Sequence, residues 1–136
     1  MIFVLDCSFC AALFLTNERS LQVRNVFRGI AEDDEVSVPV LWWQEMNAVL
    51  AEALRRHLLN HTALLDISRL LSAYNFSIDV NYGAEYTAMI LELVQNYSIG
   101  ANNAAYLELA IRKKARLGTL SKELSAASIK AGIKIL

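Results

Sequence analysis

The chain has 136 residues, a length that suits one domain with a core of its own. Its 13 Lys and Arg nearly balance 14 Asp and Glu, so bulk charge singles out neither a nucleic-acid nor a membrane partner. Hydrophobic residues make up 55%, yet no apolar run approaches the roughly 20 residues of a membrane-spanning helix.

Met1 to Leu5 is a short apolar run, as a fully buried central parallel strand would be. It lacks a basic leader and ends on Asp6, which argues against a signal peptide and for a cytoplasmic location. In open α/β sheets ligands collect outside the carboxyl ends of the strands, so Asp6 leaves this strand at a candidate site. A desolvated carboxylate has to be paired, hydrogen-bonded or metal-bound. The alternative is that Asp6 simply caps the helix opening over residues 7–15.

Glu32 to Glu35 is an acidic knot, and residues 36–38 read as a short strand before Pro39. Helical periodicity follows over 41–56, with Pro39 near its start, and again over 60–73. Residues 76–80 alternate like a strand, and helices are predicted over 84–97 and 103–115. A strand over 117–120, a helix over 122–131 ended by Gly132, and a last strand over 133–136 complete the pattern. Strands separated by helices imply a parallel sheet with right-handed crossovers. The expected fold is one α/β domain over 1–136, its four to five short parallel strands lying between helical layers.

Several constellations compete to carry chemistry. Cys7 and Cys10, after a strand and opening a helix, have the placement of a dithiol oxidoreductase pair, and small core residues are the alternative. His57 and His61 have the i, i+4 spacing that chelates zinc on one helix face, but Leu58 stands where a metalloprotease carries its base. No glycine-rich phosphate loop and no Gly-x-Ser-x-Gly elbow is present. Glu45 lies early in an apolar helix after the second strand, where it either converges with Asp6 on a divalent cation or complements the helix dipole. The bases from Arg112 onward either favour phosphate or form a solvated face. Adjacent Trp42 and Trp43 point about 100° apart, which places one indole in the core and the other at a protein contact, with a core-only role as the alternative.

Four segments, in order along the chain, resemble the PIN domain family, in the small prokaryotic form found as the toxin of VapBC toxin–antitoxin pairs. Phe3-Val4-Leu5-Asp6-Cys7-Ser8 is similar to its opening strand, Asp and nearby Ser or Thr. Pro39 through Glu45 to Leu50 resembles its proline, aromatic and helix-borne glutamate. The stretch from Ala101 to Ala110 resembles its Tyr-Asp-Ala-x-Tyr-x-x-x-Ala helix, and Thr119-Leu120-Ser121 its Thr-x-Asp turn.

The resemblance implies a metal-dependent single-stranded RNA endonuclease (a VapC-type ribonuclease) using Mg²⁺ or Mn²⁺. It also implies a homodimer and a small antitoxin whose peptide crosses the acidic groove. Carried over by position, Asp6, Glu45 and Asn103 are the metal ligands, Ser121 takes the fourth acid's place, and Ser8 and Thr119 support the site. Asn103 and Ser121 stand where acids are expected, which removes two negative charges and weakens the hold on a hard cation. Asp79 and Glu108 are the acids left to replace them, unless the sheet edge and the helix face carry both away. If catalysis is lost, the same fold becomes a binding module for RNA or for an antitoxin-like partner.

Overall fold

A computed structural model of the chain describes residues 1–15, 18–74 and 76–136. Four parallel strands form one sheet in the order β3-β2-β1-β4, with β1 (Ile2–Leu5) and β2 (Glu35–Pro39) inside and β3 (Phe76–Asp79) and β4 (Arg116–Gly118) outside. Val4 and Leu5 have no exposed surface, as an inner strand covered on both faces requires. The register pairs Leu5 with Gly118 and Pro39 with Asp79, so the strands end together along one edge. The residues that follow, Asp6, Val40 and Thr119, emerge there.

Helices cover both faces, which gives the expected three-layer α/β/α architecture. In chain order they are α1 (Cys7–Ala11), α2 (Ser20–Arg28), α3 (Leu41–Arg55), α4 (His61–Ala73), α5 (Ala84–Tyr97), α6 (Ala101–Lys113) and α7 (Lys122–Lys130). Helix α6 packs across β1 and β2 and is buried from Ala104 through Ala110; α5 and α7 lie against it. None of the described helices is long and apolar enough to cross a membrane.

The structure departs from the sequence expectations at four places. Helix α2 over Ser20–Arg28 was not anticipated; it buries Ser20, Val23 and Phe27 as a narrow stripe on an otherwise polar helix. The last strand reduces to one bridge, Leu117 to Ile135, because two residues of turn after α7 leave little chain to pair. His57 lies in the turn after α3 with φ of 56°, while His61 opens α4, so they share no helix face. The two indoles differ in burial, as expected, with Trp43 half-buried. Trp42 is fully buried, and Trp43 meets it edge-on at 4.8 Å between ring centroids, with Phe76 against both. Lastly, α6 begins at Ala101, two residues earlier than expected.

Asp79 and Glu108 are both engaged by Arg112. Arg112 donates to both Asp79 oxygens at 3.1 and 2.6 Å and to both Glu108 oxygens at 2.6 and 3.1 Å. This pins the outer strand β3 to the end of α6, and both carboxylates are taken up by the guanidinium. Lys113 is likewise engaged, 2.6 Å from Glu35, so the basic segment is partly spent on structural ion pairs.

Gly118 lets β4 and the start of α1 close on β1. A Cβ there would lie 2.7 Å from the Leu5 side chain and 3.2 Å from the Phe9 ring. Both side chains are at most 1% exposed and have little room to yield. Gly118→Ala is expected to destabilise the protein by roughly 1–3 kcal/mol in urea unfolding, and an unchanged midpoint contradicts this packing.

Candidate active site

The site grows from the end of β1. Asp6 follows the buried Leu5, its backbone is extended (φ −75°, ψ 166°), and its N–H donates to Gly118 O at 2.9 Å. As N-cap of α1 its Oδ1 accepts from the Phe9 N–H at 2.8 Å. The Ser8 hydroxyl lies 2.8 and 3.0 Å from the two oxygens, and the Thr119 hydroxyl donates to Oδ2. The cap and the site are thus one carboxylate. Ser8 Oγ and Thr119 Oγ1 each accept at 3.0 Å from Leu120 N and Ser121 N, which folds the segment after β4 over Asp6.

Glu45 is on the second turn of α3, half-buried. The Tyr106 hydroxyl donates to its Oε2, and Asn102 Nδ2 donates to its Oε1 at 3.1 Å. Asn102 and Tyr106 are four apart on α6 and share a face. Asn103, the expected neighbour of Glu45, instead donates to Glu123 Oε2 at 2.5 Å, because the next helix position turns by about 100°. Ser121 caps α7, accepting from Leu124 N at 3.2 Å. Asp6, Ser8 and Thr119 are therefore bonded together, Glu45 stands beside them, and Asn103 and Ser121 are occupied locally.

Sequence reasoning missed Asn102, Tyr106 and Glu123. The i, i+4 spacing of Asn102 and Tyr106 was available as a signal, but only with α6 started at Ala101.

Burial raises the Asp6 carboxyl above its ordinary range. The Thr119, Phe9 and Ser8 hydrogen bonds work against that, and the Glu45 charge adds to it. Burial and the hydrogen bond to Glu45 likewise push the Tyr106 phenol far up, so it remains a donor. Among the described residues neither Asp6 nor Glu45 has an ion-pair partner. The cysteines are free and buried; burial pushes Cys7 up to about 12, and Cys10 also rises well above its ordinary value. Thiols this hard to ionise do not support dithiol exchange.

The donor set bears on a metal. Among the described residues no three His, Cys, Asp or Glu side chains gather as a cage. Of about four lone-pair positions on a carboxylate, protein donors fill about three on Asp6 and two on Glu45. Two mutually repelling carboxylates with free lone pairs fit a hard cation that keeps several waters, as Mg²⁺ does when held by one or two carboxylates.

The four-stranded parallel sheet carries a carboxylate pair at its carboxyl edge, which defines the chain as an α/β protein with an acidic edge site. No family model matches the sequence, and no curated protein matches it. Solved structures match over nearly the whole chain. VapBC2 from Rickettsia felis, bound to a DNA fragment from its promoter, gives a TM-score of 0.68 at 16% identity, covering 100% of this chain and 98% of that one. VapC20 from Mycobacterium tuberculosis, a sarcin-ricin loop cleaving toxin, gives 0.66 at 17% over 93% and 95%. A toxin–antitoxin complex from Klebsiella pneumoniae gives 0.59 at 19% over 90% and 89%. The chain has the VapC-type PIN-domain fold.

Two measurements check the electrostatics. Because the folded state holds the Asp6 proton more tightly than the unfolded chain, stability from this group is present at low pH and lost as pH rises through the raised value. Asp6→Asn keeps a cap acceptor and sheds the charge. In EDTA at pH 7.5 it is expected to be at least as stable as the parent, with the parent gaining on it as pH falls towards 4. A large loss at pH 7.5 contradicts this. Separately, the native protein at pH 8 is expected to resist thiol alkylation at both cysteines until it is unfolded, and rapid labelling of either is the contrary result.

Proposed function

We propose that the chain is a metal-dependent endonuclease for single-stranded RNA of the VapC toxin type. One observation carries the reading: a buried Asp6 carboxylate beside Glu45, with no cationic side chain paired to either among the described residues, at the carboxyl edge of a VapC-type PIN fold. The sarcin-ricin loop cleavage named for VapC20 supports RNA as the substrate.

Asp6 and Glu45 hold the cation, and the Asn102 carboxamide stands ready beside them as a neutral donor. Ser8, Thr119 and the Phe9 N–H keep the Asp6 carboxylate oriented; Tyr106 does the same for Glu45. When bound, Mg²⁺ or Mn²⁺ supplies Lewis acidity to the phosphodiester and a more acidic water. With Asn103 and Ser121 in place of two acids, binding is weaker than a four-carboxylate site gives. The expected setting is cytoplasmic, as a homodimer controlled by a small antitoxin; the matching toxin–antitoxin complex supports the last point.

The second reading, a binding module without catalysis, is favoured by one fact: protein donors already satisfy much of both carboxylates. Purified protein incubated with single-stranded and stem-loop RNA in Mg²⁺ or Mn²⁺ separates the two. Cleavage is expected, with Asp6→Asn and Glu45→Gln each lowering the rate by at least about 100-fold while remaining folded. Absence of cleavage in both metals, or parental activity in Asp6→Asn, rejects the nuclease.

A further inference from the structure

We infer that the cavity on the far side of Thr119 seats a backbone phosphate of the bound RNA strand, gripped by Lys122 and Arg19. This rests on the ribonuclease reading and says how its substrate is held. The cavity encloses about 320 Å³ between the start of α2, the start of α7 and the chain end. Thr119 belongs both to its wall and to the Asp6 network, so its occupant lies one side chain from the carboxylate pair.

Charge argues for phosphate. RNA approaching Asp6 and Glu45 meets two negative charges, and an adjoining cationic surface has to offset that repulsion. Two of the basic residues near the sheet are committed elsewhere, Arg112 to Asp79 and Glu108 and Lys113 to Glu35, and of the others Lys122 and Arg19 border this cavity. Lys122 is exposed and has no ion pair among the described residues; the lining holds no Asp or Glu side chain, and its two cations stand against the single carboxylate of Leu136. Arg19 is also exposed, and its guanidinium donates to Gln22 at 3.1 Å.

The rest of the lining suits a nucleotide better than a bare anion. The Ser125 hydroxyl offers a neutral donor, and Ile129, 65% exposed, offers an apolar wall for a ribose or a base face. An acidic peptide would use the cations and leave that wall uncovered.

Binding of a labelled oligouridylate to the full chain tests this, with Asp6→Asn as the background and EDTA present so that no strand is cut. Lys122→Ala is expected to weaken binding about 5-fold and to lower the slope of log K against log salt by about 0.7, the value for one phosphate contact on a single strand. Lys122→Arg restores both, Arg19→Ala repeats the loss, and Arg69→Ala on α4 changes neither. Unchanged affinity and slope in Lys122→Ala and Lys122→Glu overturn the inference. So does loss of binding to an oligoglutamate in these variants with RNA binding intact. If the parent cleaves RNA but Lys122 has no effect, only the inference fails. If Lys122 governs RNA binding but nothing is cleaved, only the nuclease fails.

Discussion

The burial of one carboxylate, Asp6, organises this molecule. A charge with 4% exposure needs hydrogen-bond donors, and each of its donors comes from a different structural event. The Phe9 N–H exists as a free donor because α1 starts there; the Ser8 hydroxyl reaches back along the same turn; the Thr119 hydroxyl arrives from the far side of the sheet. That last contact depends on β4 lying beside β1 with Leu5 opposite Gly118, and on Gly118 having no side chain to hold Phe9 away. Register, helix cap and site are therefore one constraint. The donors do not cancel the desolvation, and Asp6 stays raised.

Helix α6 builds the other half. Its buried run from Ala104 through Ala110 fixes its position over β1 and β2. Near its start this rigid rod presents Asn102 and Tyr106 to Glu45, and at its end Arg112 grips Asp79 on the outermost strand. Glu45 is thus oriented by a helix whose placement the core decides. Tyr106 contributes as a phenol that stays protonated, giving Glu45 a donor without giving it a compensating charge.

The legible parts of the sequence were those where one pattern has one physical cause. An apolar run broken by Asp6, and Pro39 ahead of the apolar helix bearing Glu45, placed the sheet edge and both acids before any coordinates. Elements with mixed causes were not legible. Helix α2 buries only three positions, one of them a serine, and His57 takes a left-handed turn that periodicity does not encode. Asn102 and Asn103 are adjacent and chemically identical, so only the exact phase of α6 assigns one to Glu45 and the other to Glu123. A shift of one residue moves a side chain by about 100°, and sequence fixes helix starts less finely than that.

The reduced acidity of the site has a consequence for the ribonuclease reading. With Asn103 and Ser121 in place of acids, fewer negative charges hold a cation, and fewer repel a phosphodiester. Mg²⁺ held by one or two carboxylates completes its shell with water and substrate phosphate. Cation and RNA then bind cooperatively, since each neutralises what the other would meet alone, and linkage makes the effect reciprocal. Glu123, tied to Asn103, keeps one acid beside this region without crowding Asp6. On the proposed ribonuclease reading such a site would favour the cation chiefly when a strand is already seated, with Lys122 and Arg19 at the adjoining cavity supplying attraction that the carboxylates do not.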